Sequence, residues 1–354
     1  MQSTLTPTAD GHMPYFAALD GMRAYCVLLV MFDHLKSRGH SVRWLNGHLG
    51  LDLFFIISGF LITTLLRREQ SLRGEIDFAS FYWRRFFRIV PVYCVVLLLY
   101  VGICQFPAQA EKWAQLKAAL PWFLTFMNEY AREPGNGNVF TLTWSLGVEE
   151  KFYLLWPVLF FIVGRTALAR RIVAVGLIVA VTVATLLGQG HLAQAYFGLL
   201  MGCVLGIVLS GPYSVRAFSR LRALPPSIAL AIFACGFWAP HLSKDLTPGF
   251  SAASTVFIGS LLARKSWLSR IHAWGPLVWV GKRTYSMYLV HVLCLNAVEA
   301  QIPVTSGWLA AAVLALSFAL TAGVGEILYL TVEEPARRFG REYLRRHNEI
   351  AAAI

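Results

Sequence analysis

An arginine and a histidine lie eleven residues apart in the first long apolar stretch of this chain, LDGMRAYCVLLVMFDHL at residues 19–35. An α-helix turns about 100° per residue, so Arg23 and His34 would share one face, about 16 Å apart along the axis. Ionisable side chains inside a bilayer are costly and generally mark function. The pattern therefore predicts a cation and a titratable base inside the membrane. The alternative is that Arg23 extends to a lipid headgroup while His34 caps the far end.

The next apolar segment, HLGLDLFFIISGFLI at residues 48–62, contains Asp52 and Ser58. An aspartate in such a run needs a partner, and Arg23 or His34 on the preceding segment are the candidates. The alternative is that Asp52 caps the wet end of its helix. We expect Asp52 and Ser58 to line a substrate cavity.

Three arginines occur among aromatic residues in FYWRRFFRIVPVY, residues 81–93. Arg84 and Arg88 are spaced to share a helix face, and Arg85 lies between them. Arginine binds phosphate through two parallel hydrogen bonds, and a guanidinium or an aromatic ring can stack on another flat ring. A nucleotide-bearing substrate such as coenzyme A would fit here. The alternative is an ordinary basic and aromatic flank of a membrane helix.

Two adjacent carboxylates open another apolar segment, TLTWSLGVEEKFYLLWP at residues 141–157. Glu149 and Glu150 must point to different faces of a helix, and Ser145 and Tyr153 share the face of Glu149. At least one carboxylate should face an internal cavity and pair with a cation or a histidine. We expect Ser145 and Tyr153 to line that cavity.

A polar stripe follows in VGKRTYSMYLVHVLCLN, residues 280–296, where Tyr285, Tyr288 and His291 recur about every third residue. Ser286 lies on a neighbouring face. The stripe predicts a lined cavity, and the alternative is that His291 is a satisfied core residue.

The composition is that of a polytopic membrane protein. The chain is 57% hydrophobic and only 14% charged, whereas soluble domains carry about 25% charged residues. We predict an all-α protein with about ten transmembrane helices in one domain over residues 1–354, with short polar tails at about 1–13 and 333–354. The predicted spans lie near residues 14–36, 47–66, 86–105, 143–164, 168–188, 192–210, 223–239, 249–263, 281–299 and 305–332.

The basic residues predict the orientation. With a cytoplasmic N-terminus, twenty Lys and Arg residues fall in inside loops and the C-terminal tail, and seven fall outside. The positive-inside rule then places both termini in the cytoplasm. Topology also explains the net charge of +12 without a nucleic-acid partner. The six cysteines lie in apolar stretches without a CxxC pair, so we expect neither disulfides nor a metal site.

Together these segments resemble the acyltransferase 3 family of membrane O-acyltransferases. LDGMRA…H, GLDLFFIISGFLI, FYWRRFFRIVPVY, TWSLGVEEKFYLLWP, TYSMYLVH and a closing EEPARR occur in family order over nearly the whole chain. The family signature of an arginine and a histidine falls on Arg23 and His34, and the acidic pair falls on Glu149 and Glu150. Lys151 departs from the pattern, because family members commonly carry glutamine there.

The resemblance implies transfer of an acyl group, usually acetyl from cytoplasmic acetyl-coenzyme A, to a hydroxyl group. Acyl-coenzyme A would be a co-substrate, and no tightly bound cofactor is expected. The acceptor would be a cell-surface carbohydrate or lipid-linked glycan, such as O-antigen, exopolysaccharide or peptidoglycan. A macrolide-like small molecule is the alternative acceptor. The expected location is the lipid bilayer of the bacterial inner membrane.

Acyl transfer to an alcohol needs a base for the hydroxyl proton and a positive environment for the developing oxyanion. His34 titrates near neutrality and is the best base. Glu149 or Glu150 is expected to orient the imidazole, and Arg23 to hold the thioester arm. The arginines of residues 84–88 would bind coenzyme A on the cytoplasmic side. Direct transfer and an acyl-histidine intermediate both stay open.

A proton-coupled transporter is the competing class, because it would use the same intramembrane charges. Against it, the sequence shows no inverted repeat and no paired helices broken by Gly or Pro.

Overall fold

The computed structural model of this chain describes residues 15–36, 46–132, 139–160, 166–186, 190–211, 213–243, 246–302 and 307–353. In these ranges the secondary structure is helical and contains no strand, which confirms the all-α prediction. The α-helices are α1 (Ala17–Lys36), α2 (Leu49–Arg73), α3 (Phe78–Cys104), α4 (Ala110–Leu124), α5 (Trp144–Val158), α6 (Ala167–Leu186), α7 (Gly190–Ser210), α8 (Ser214–Ala223), α9 (Pro226–Leu242), α10 (Thr247–Ala263), α11 (Trp267–His272), α12 (Gly275–Glu299), α13 (Gly307–Leu328) and α14 (Glu334–Ala353). A π-helical turn, Tyr329–Glu333, joins α13 to α14.

Every predicted span overlaps an α-helix, although the first and last residues differ. The spans correspond to α1, α2, α3, α5, α6, α7, α9, α10, α12 and α13. The largest shift is in α3, which begins at Phe78 rather than near residue 86 because the Asp77 side chain accepts a hydrogen bond from the amide of Ser80 at 2.9 Å. Such a cap satisfies an otherwise unpaired amide at the helix start. The arginines of residues 84–88 therefore lie within the helix and not in a loop before it.

Four helices in the described ranges are long and apolar enough to cross a membrane on their own: Leu49–Leu72, Phe78–Cys104, Leu192–Ser210 and Gly307–His347. A fifth span results if α8 and α9, which meet at a 91° bend, count as one. Helices α5 and α10 have 15 and 17 residues, fewer than the roughly 20 that one crossing needs. The chain thus has several apolar helices of membrane-spanning character, and the count of ten spans stays a prediction.

The chain divides into two compact units, Met1–Ile76 with Trp156–Lys282, and Asp77–Leu155 with Arg283–Ile354. In the first unit, α2 packs closely along α7. A side chain at Gly59 would collide with the Leu199 carbonyl, and one at Gly202 would collide with the Ile56 carbonyl. Close approach of backbones through glycine is typical of helix pairs in membranes. This contact sets the position of the polar residues on α2.

In the second unit, α14 packs against the first half of α3. The ring centroids of Phe87 and Phe339 lie 5.4 Å apart, and those of Trp83 and Tyr343 lie 5.7 Å apart. Gly340 lets α14 approach the Phe87 ring. Most of the predicted polar tail at residues 333–354 is therefore a helix that packs beside the three arginines of α3.

A buried hydrogen-bond cluster in the second unit holds the segment that leads into α5. Asn128 is fully buried and donates to the Tyr93 hydroxyl at 3.0 Å and to the Thr143 hydroxyl at 2.7 Å. Phe126 and Phe140 flank this cluster with φ values of 56° and 59°, and such left-handed conformations in bulky residues are strained. The hydrogen bonds and ring contacts around Tyr93 keep both in place and so position the start of α5.

Candidate active site

In the first unit, Arg23 is tied to an aspartate one helical turn away. Arg23 Nη1 lies 3.0 Å from Asp20 Oδ1, and the Tyr15 hydroxyl donates to Asp20 Oδ2 at 2.7 Å. Both charged side chains are largely buried. Asp20 was not among the predicted site residues, although its i, i+3 spacing from Arg23 is the signal that could have identified it.

The hydrogen bond of His34 determines which ring nitrogen can act as a base. His34 Nδ1 lies 2.9 Å from the carbonyl oxygen of Val30. A carbonyl oxygen only accepts, so Nδ1 carries the proton and Nε2 of the neutral ring carries the lone pair. The side chain is partly exposed, as a base that must meet a substrate requires.

Asp52 is buried on α2, with 4% of its surface exposed, and its hydrogen-bond donor is a residue of α7 that was not among the predicted partners Arg23 and His34. Gln194 Nε2 of α7 donates to Asp52 Oδ2 at 3.3 Å and to the Ser251 hydroxyl of α10 at 3.1 Å. The alternative that Asp52 caps α2 is wrong, because His48 occupies the N-cap position and Asp52 lies within the first turn of the helix. Ser58 is buried on the same helix.

In the second unit, the three arginines of α3 differ in environment. Arg84 is exposed, whereas Arg85 and Arg88 are partly buried. The Arg85 guanidinium lies 4.8 Å from the centroid of the Tyr153 ring. Arg85 and Arg88 both interact electrostatically with Glu150, and Arg85 also does so with Glu149. Arg85, Arg88 and the acidic pair, which were predicted as separate sites, therefore form one charge cluster.

The predicted helix face of α5 is confirmed for Glu149 and Tyr153. The Tyr153 hydroxyl donates to Glu149 Oε1, one turn away. Glu149 is buried with 6% of its surface exposed, and Glu150, partly buried, points to a different face. The neighbouring Lys151 turns to the segment before α5, where its Nζ lies 2.6 Å from Glu129 Oε1. Lys151, which departs from the family pattern, is therefore paired with a carboxylate outside the acidic pair.

Helix α12 places its polar stripe against α3 and the start of α5. The Tyr285 hydroxyl donates to the Ile89 carbonyl at 2.8 Å. The Tyr288 hydroxyl donates its only proton to the Leu142 carbonyl, so Ser145, 2.7 Å away, must donate to Tyr288. The structure thus brings Ser145 and Tyr288 together through a hydrogen bond.

His291, at the end of this stripe, is fully buried, and its Nδ1 contacts the Tyr288 carbonyl. As at His34, this contact places the proton on Nδ1. Complete burial agrees better with the alternative interpretation, in which His291 is a satisfied core histidine.

Another buried carboxylate in this unit was missed as a site residue. Glu333, in the π-helical turn, is 2% exposed and accepts a hydrogen bond from Ser286 Oγ at 2.7 Å. The closing EEPARR motif contains it, and its i, i+4 spacing to Arg337 was a further signal.

Comparison with known proteins identifies the family to which the motifs pointed. The profile of the acyltransferase domain family matches residues 16–327. An O-acetyltransferase of Staphylococcus aureus (strain NCTC 8325) is 30% identical over 92% of this chain, and a peptidoglycan O-acetyltransferase of Listeria monocytogenes is 26% identical over 92%. These alignments cover 58% and 56% of the relatives, so the chain spans less than two thirds of their length.

No solved structure matches the chain significantly. The family match nevertheless spans α1 through nearly all of α13 and includes the proposed base, the acidic pair and the arginines of α3. The chain therefore belongs to the acyltransferase 3 family.

Proposed function

We propose that this chain is a membrane O-acyltransferase that moves an acetyl group from acetyl-coenzyme A to a hydroxyl of a cell-surface carbohydrate. The observation that carries the proposal is the 2.9 Å contact between His34 Nδ1 and the Val30 carbonyl oxygen. Because a carbonyl oxygen only accepts, we infer that the proton is on Nδ1 and that Nε2 takes the acceptor's hydroxyl proton. Peptidoglycan is the first acceptor to test, because one of the relatives is named for it.

In the proposed direct transfer, His34 Nε2 takes the hydroxyl proton as the acceptor oxygen attacks the thioester carbonyl. The tetrahedral intermediate then expels the coenzyme A thiolate, which receives that proton from the imidazolium. The alternative path forms an acyl-imidazole on Nε2 first and passes the acyl group to the acceptor in a second step. Both paths need the Nε2 lone pair and give the same products.

We assign donor binding to the arginines of α3. Arginine suits coenzyme A because the phosphate groups of coenzyme A are anionic and accept paired hydrogen bonds from a guanidinium. Arg84 is exposed, and Arg88 is partly buried four residues further along the same face. Arg85 faces Tyr153 and the acidic pair, so we expect it to organise the cluster more than to contact phosphate.

The predicted contact between the imidazole and Glu149 or Glu150 joins residues of different units and stays a prediction. Within the second unit, both carboxylates interact electrostatically with Arg85. We therefore propose that the two carboxylates compensate the positive charge of the arginines and also stabilise an imidazolium.

The deciding experiment supplies purified protein in liposomes with radiolabelled acetyl-coenzyme A and peptidoglycan fragments. Labelled ester on the glycan, lost on mild alkaline treatment, is the expected product. Substrate flux across the membrane without ester formation would instead favour the transporter class. A brief incubation without acceptor, followed by rapid quenching, distinguishes the two paths, because only the two-step path leaves label on the protein.

A further inference from the structure

The turn of α1 that precedes Arg23 is packed tightly on two sides. A side chain at Gly21 would collide with the carbonyl of His272 in α11, and one at Gly281 of α12 would collide with the carbonyl of Asp20. Contacts of this kind bring two backbones together and leave little room for movement. Asp20 therefore lies on a part of α1 whose position is determined by residues of α11 and α12 in the same unit.

Two side chains hold the carboxylate of Asp20. Arg23 Nη1 lies 3.0 Å from Oδ1, and the Tyr15 hydroxyl donates to Oδ2 at 2.7 Å. The Lys282 ammonium lies 5.1 Å from the centroid of the Tyr15 ring, a distance at which a cation is attracted to the ring. Each oxygen of the carboxylate thus has a partner, so the orientation of the group is fixed.

The ion pair between Arg23 and Asp20 is largely shielded from water. The exposed fractions of the two side chains are 13% and 12%. Exposed ion pairs contribute little, whereas a charge-assisted hydrogen bond is stronger where the local dielectric is low. An arginine has much rotational freedom, and ordering it when a ligand binds costs free energy. A carboxylate that orders Arg23 beforehand removes part of that cost.

A simpler role for Asp20 would be to stabilise the start of α1. It is an acidic residue in the first turn of this helix, and a negative charge near a helix N-terminus interacts favourably with the helix dipole. That role needs the charge but no particular distance to Arg23. The two roles therefore predict different effects when the side chain is neutralised and when it is lengthened.

We propose that Asp20 is a positioning residue that holds Arg23 in the orientation in which it binds the acyl donor. The inference rests on the proposed function and on the role expected for Arg23, which is to hold the thioester arm. Asp20 itself neither contacts the donor nor takes part in proton transfer. It acts through Arg23, so its loss should weaken donor binding and leave acceptor binding unchanged.

The experiment measures steady-state kinetics of Asp20→Asn with acetyl-coenzyme A and peptidoglycan fragments. Asparagine keeps the size and an oxygen for the Tyr15 hydroxyl but removes the charge that holds Arg23. We expect the KM for acetyl-coenzyme A to rise about ten-fold, which corresponds to the loss of one charged contact. The KM for the acceptor should stay within about two-fold, which is below the effect of such a contact. In an Arg23→Gln background, Asp20→Asn should cause no further rise in the donor KM.

Asp20→Glu distinguishes positioning from stabilisation of the helix start. Glutamate keeps the charge, but its longer side chain displaces the carboxylate relative to Arg23. We expect a donor KM between those of the unaltered protein and Asp20→Asn. Stabilisation of the helix alone instead predicts an unaltered donor KM for Asp20→Glu. For Asp20→Asn it predicts a lower yield of folded protein with both KM values unchanged.

Glu75→Gln is the matched control, because it also removes one negative charge from the first unit. Glu75 is exposed in the segment between α2 and α3, and its replacement should change neither KM.

Three results would overturn the inference while the proposed function stands. The first is an equal donor KM for Asp20→Asn and Glu75→Gln. The second is an equal rise in the KM values of donor and acceptor, which would show a general distortion of the site. The third is a further ten-fold rise in the Arg23→Gln background, which would show that Asp20 does not act through Arg23.

If Asp20→Asn does not fold, Asp20→Glu decides alone, and an unaltered donor KM for this variant would overturn the inference. Absence of acetyl transfer by the unaltered protein would overturn the proposed function and the inference with it.

Discussion

At the scale of single residues, main-chain carbonyls determine the histidine chemistry. His34, His272 and His291 each place Nδ1 against a carbonyl three or four residues earlier. All three therefore carry the lone pair on Nε2. They differ in burial, because His272 is 8% exposed, His291 is fully buried and His34 is partly exposed. Among these three, His34 is best placed to meet a substrate.

Replacing His34 should abolish acyl transfer while leaving insertion intact. We expect His34→Ala and His34→Gln to lower kcat by about 10²–10⁴-fold, the usual contribution of a general base. Glutamine retains a polar side chain but cannot take up a proton at neutral pH, so the two variants should be equally impaired. The measurement is acetyl ester formed per mole of inserted protein. Near-normal turnover of either variant would show that His34 is a structural cap.

Neutralising either carboxylate of α5 should lower the rate of acetyl transfer, and the two losses should differ in size. Glu149→Gln retains an acceptor for the Tyr153 hydroxyl, whereas Glu150→Gln removes a charge that interacts with both Arg85 and Arg88. We therefore expect the larger loss of acetyl transfer for Glu150→Gln. Rates of the two variants are compared at equal amounts of monodisperse protein. Equal and mild losses would remove both carboxylates from the mechanism.

At the scale of elements, α3 is more than a membrane anchor. Its first half carries the arginines, packs against α14 and accepts a hydrogen bond from α12 at the Ile89 carbonyl. The Asp77 cap places this arginine-bearing half inside the helix, so that successive residues point in different directions. One arginine consequently faces solvent while its neighbour faces the acidic pair.

Replacing neighbouring arginines of α3 should therefore change stability by different amounts. Arg85→Gln should lower the free energy of unfolding by roughly 1–3 kcal/mol, because it removes one of the charges that compensate the buried Glu149 and the partly buried Glu150. Arg84→Gln should change stability by less than about 0.5 kcal/mol, as is usual for an exposed site. Thermal unfolding in the same detergent measures both. Equal melting temperatures for the two variants would contradict the environments described for these side chains.

At the scale of the whole molecule, composition and structure both indicate a helical membrane protein. They differ in how many helices qualify as membrane spans. Within the part of the chain that the structure describes, helices occur in all ten apolar segments, and four to five helices are long and apolar enough to count as spans. Helix α1 carries Asp20, Arg23 and Asp33, and α5 and α10 are short. Such helices can lie in a membrane only if their polar groups are satisfied by protein. Asp20 with Arg23 on α1 and Glu149 with Tyr153 on α5 are examples.

The orientation predicted from the basic residues is open to a direct test. Green fluorescent protein fused after the C-terminus should fluoresce, because that end is expected in the cytoplasm. Alkaline phosphatase fused within residues 37–45 should be active, because that loop is expected outside. A fusion within residues 212–222 supplies the cytoplasmic comparison. A phosphatase-active C-terminus would contradict the predicted cytoplasmic position of that end.

The amino-acid sequence by itself determined the class, the helices and the residues that could do chemistry. Apolar runs and helical spacing are local properties, so they could be read without a structure. The same holds for contacts within one helix, such as Glu149 with Tyr153, which the spacing predicted. The pair Asp20 and Arg23 was equally local and was overlooked.

Only the tertiary structure decided the contacts between helices. Asp52 and Gln194 are 142 residues apart, Ser145 and Tyr288 are 143 apart, and Ser286 and Glu333 are 47 apart. A periodic pattern states which residues share a face but not which face of another helix they will meet. That choice depends on the rotation and packing of each helix, which backbone approach at residues such as Gly59 and Gly202 determines. For the same reason, the charge cluster of α3 and α5 became visible only when the chain was folded.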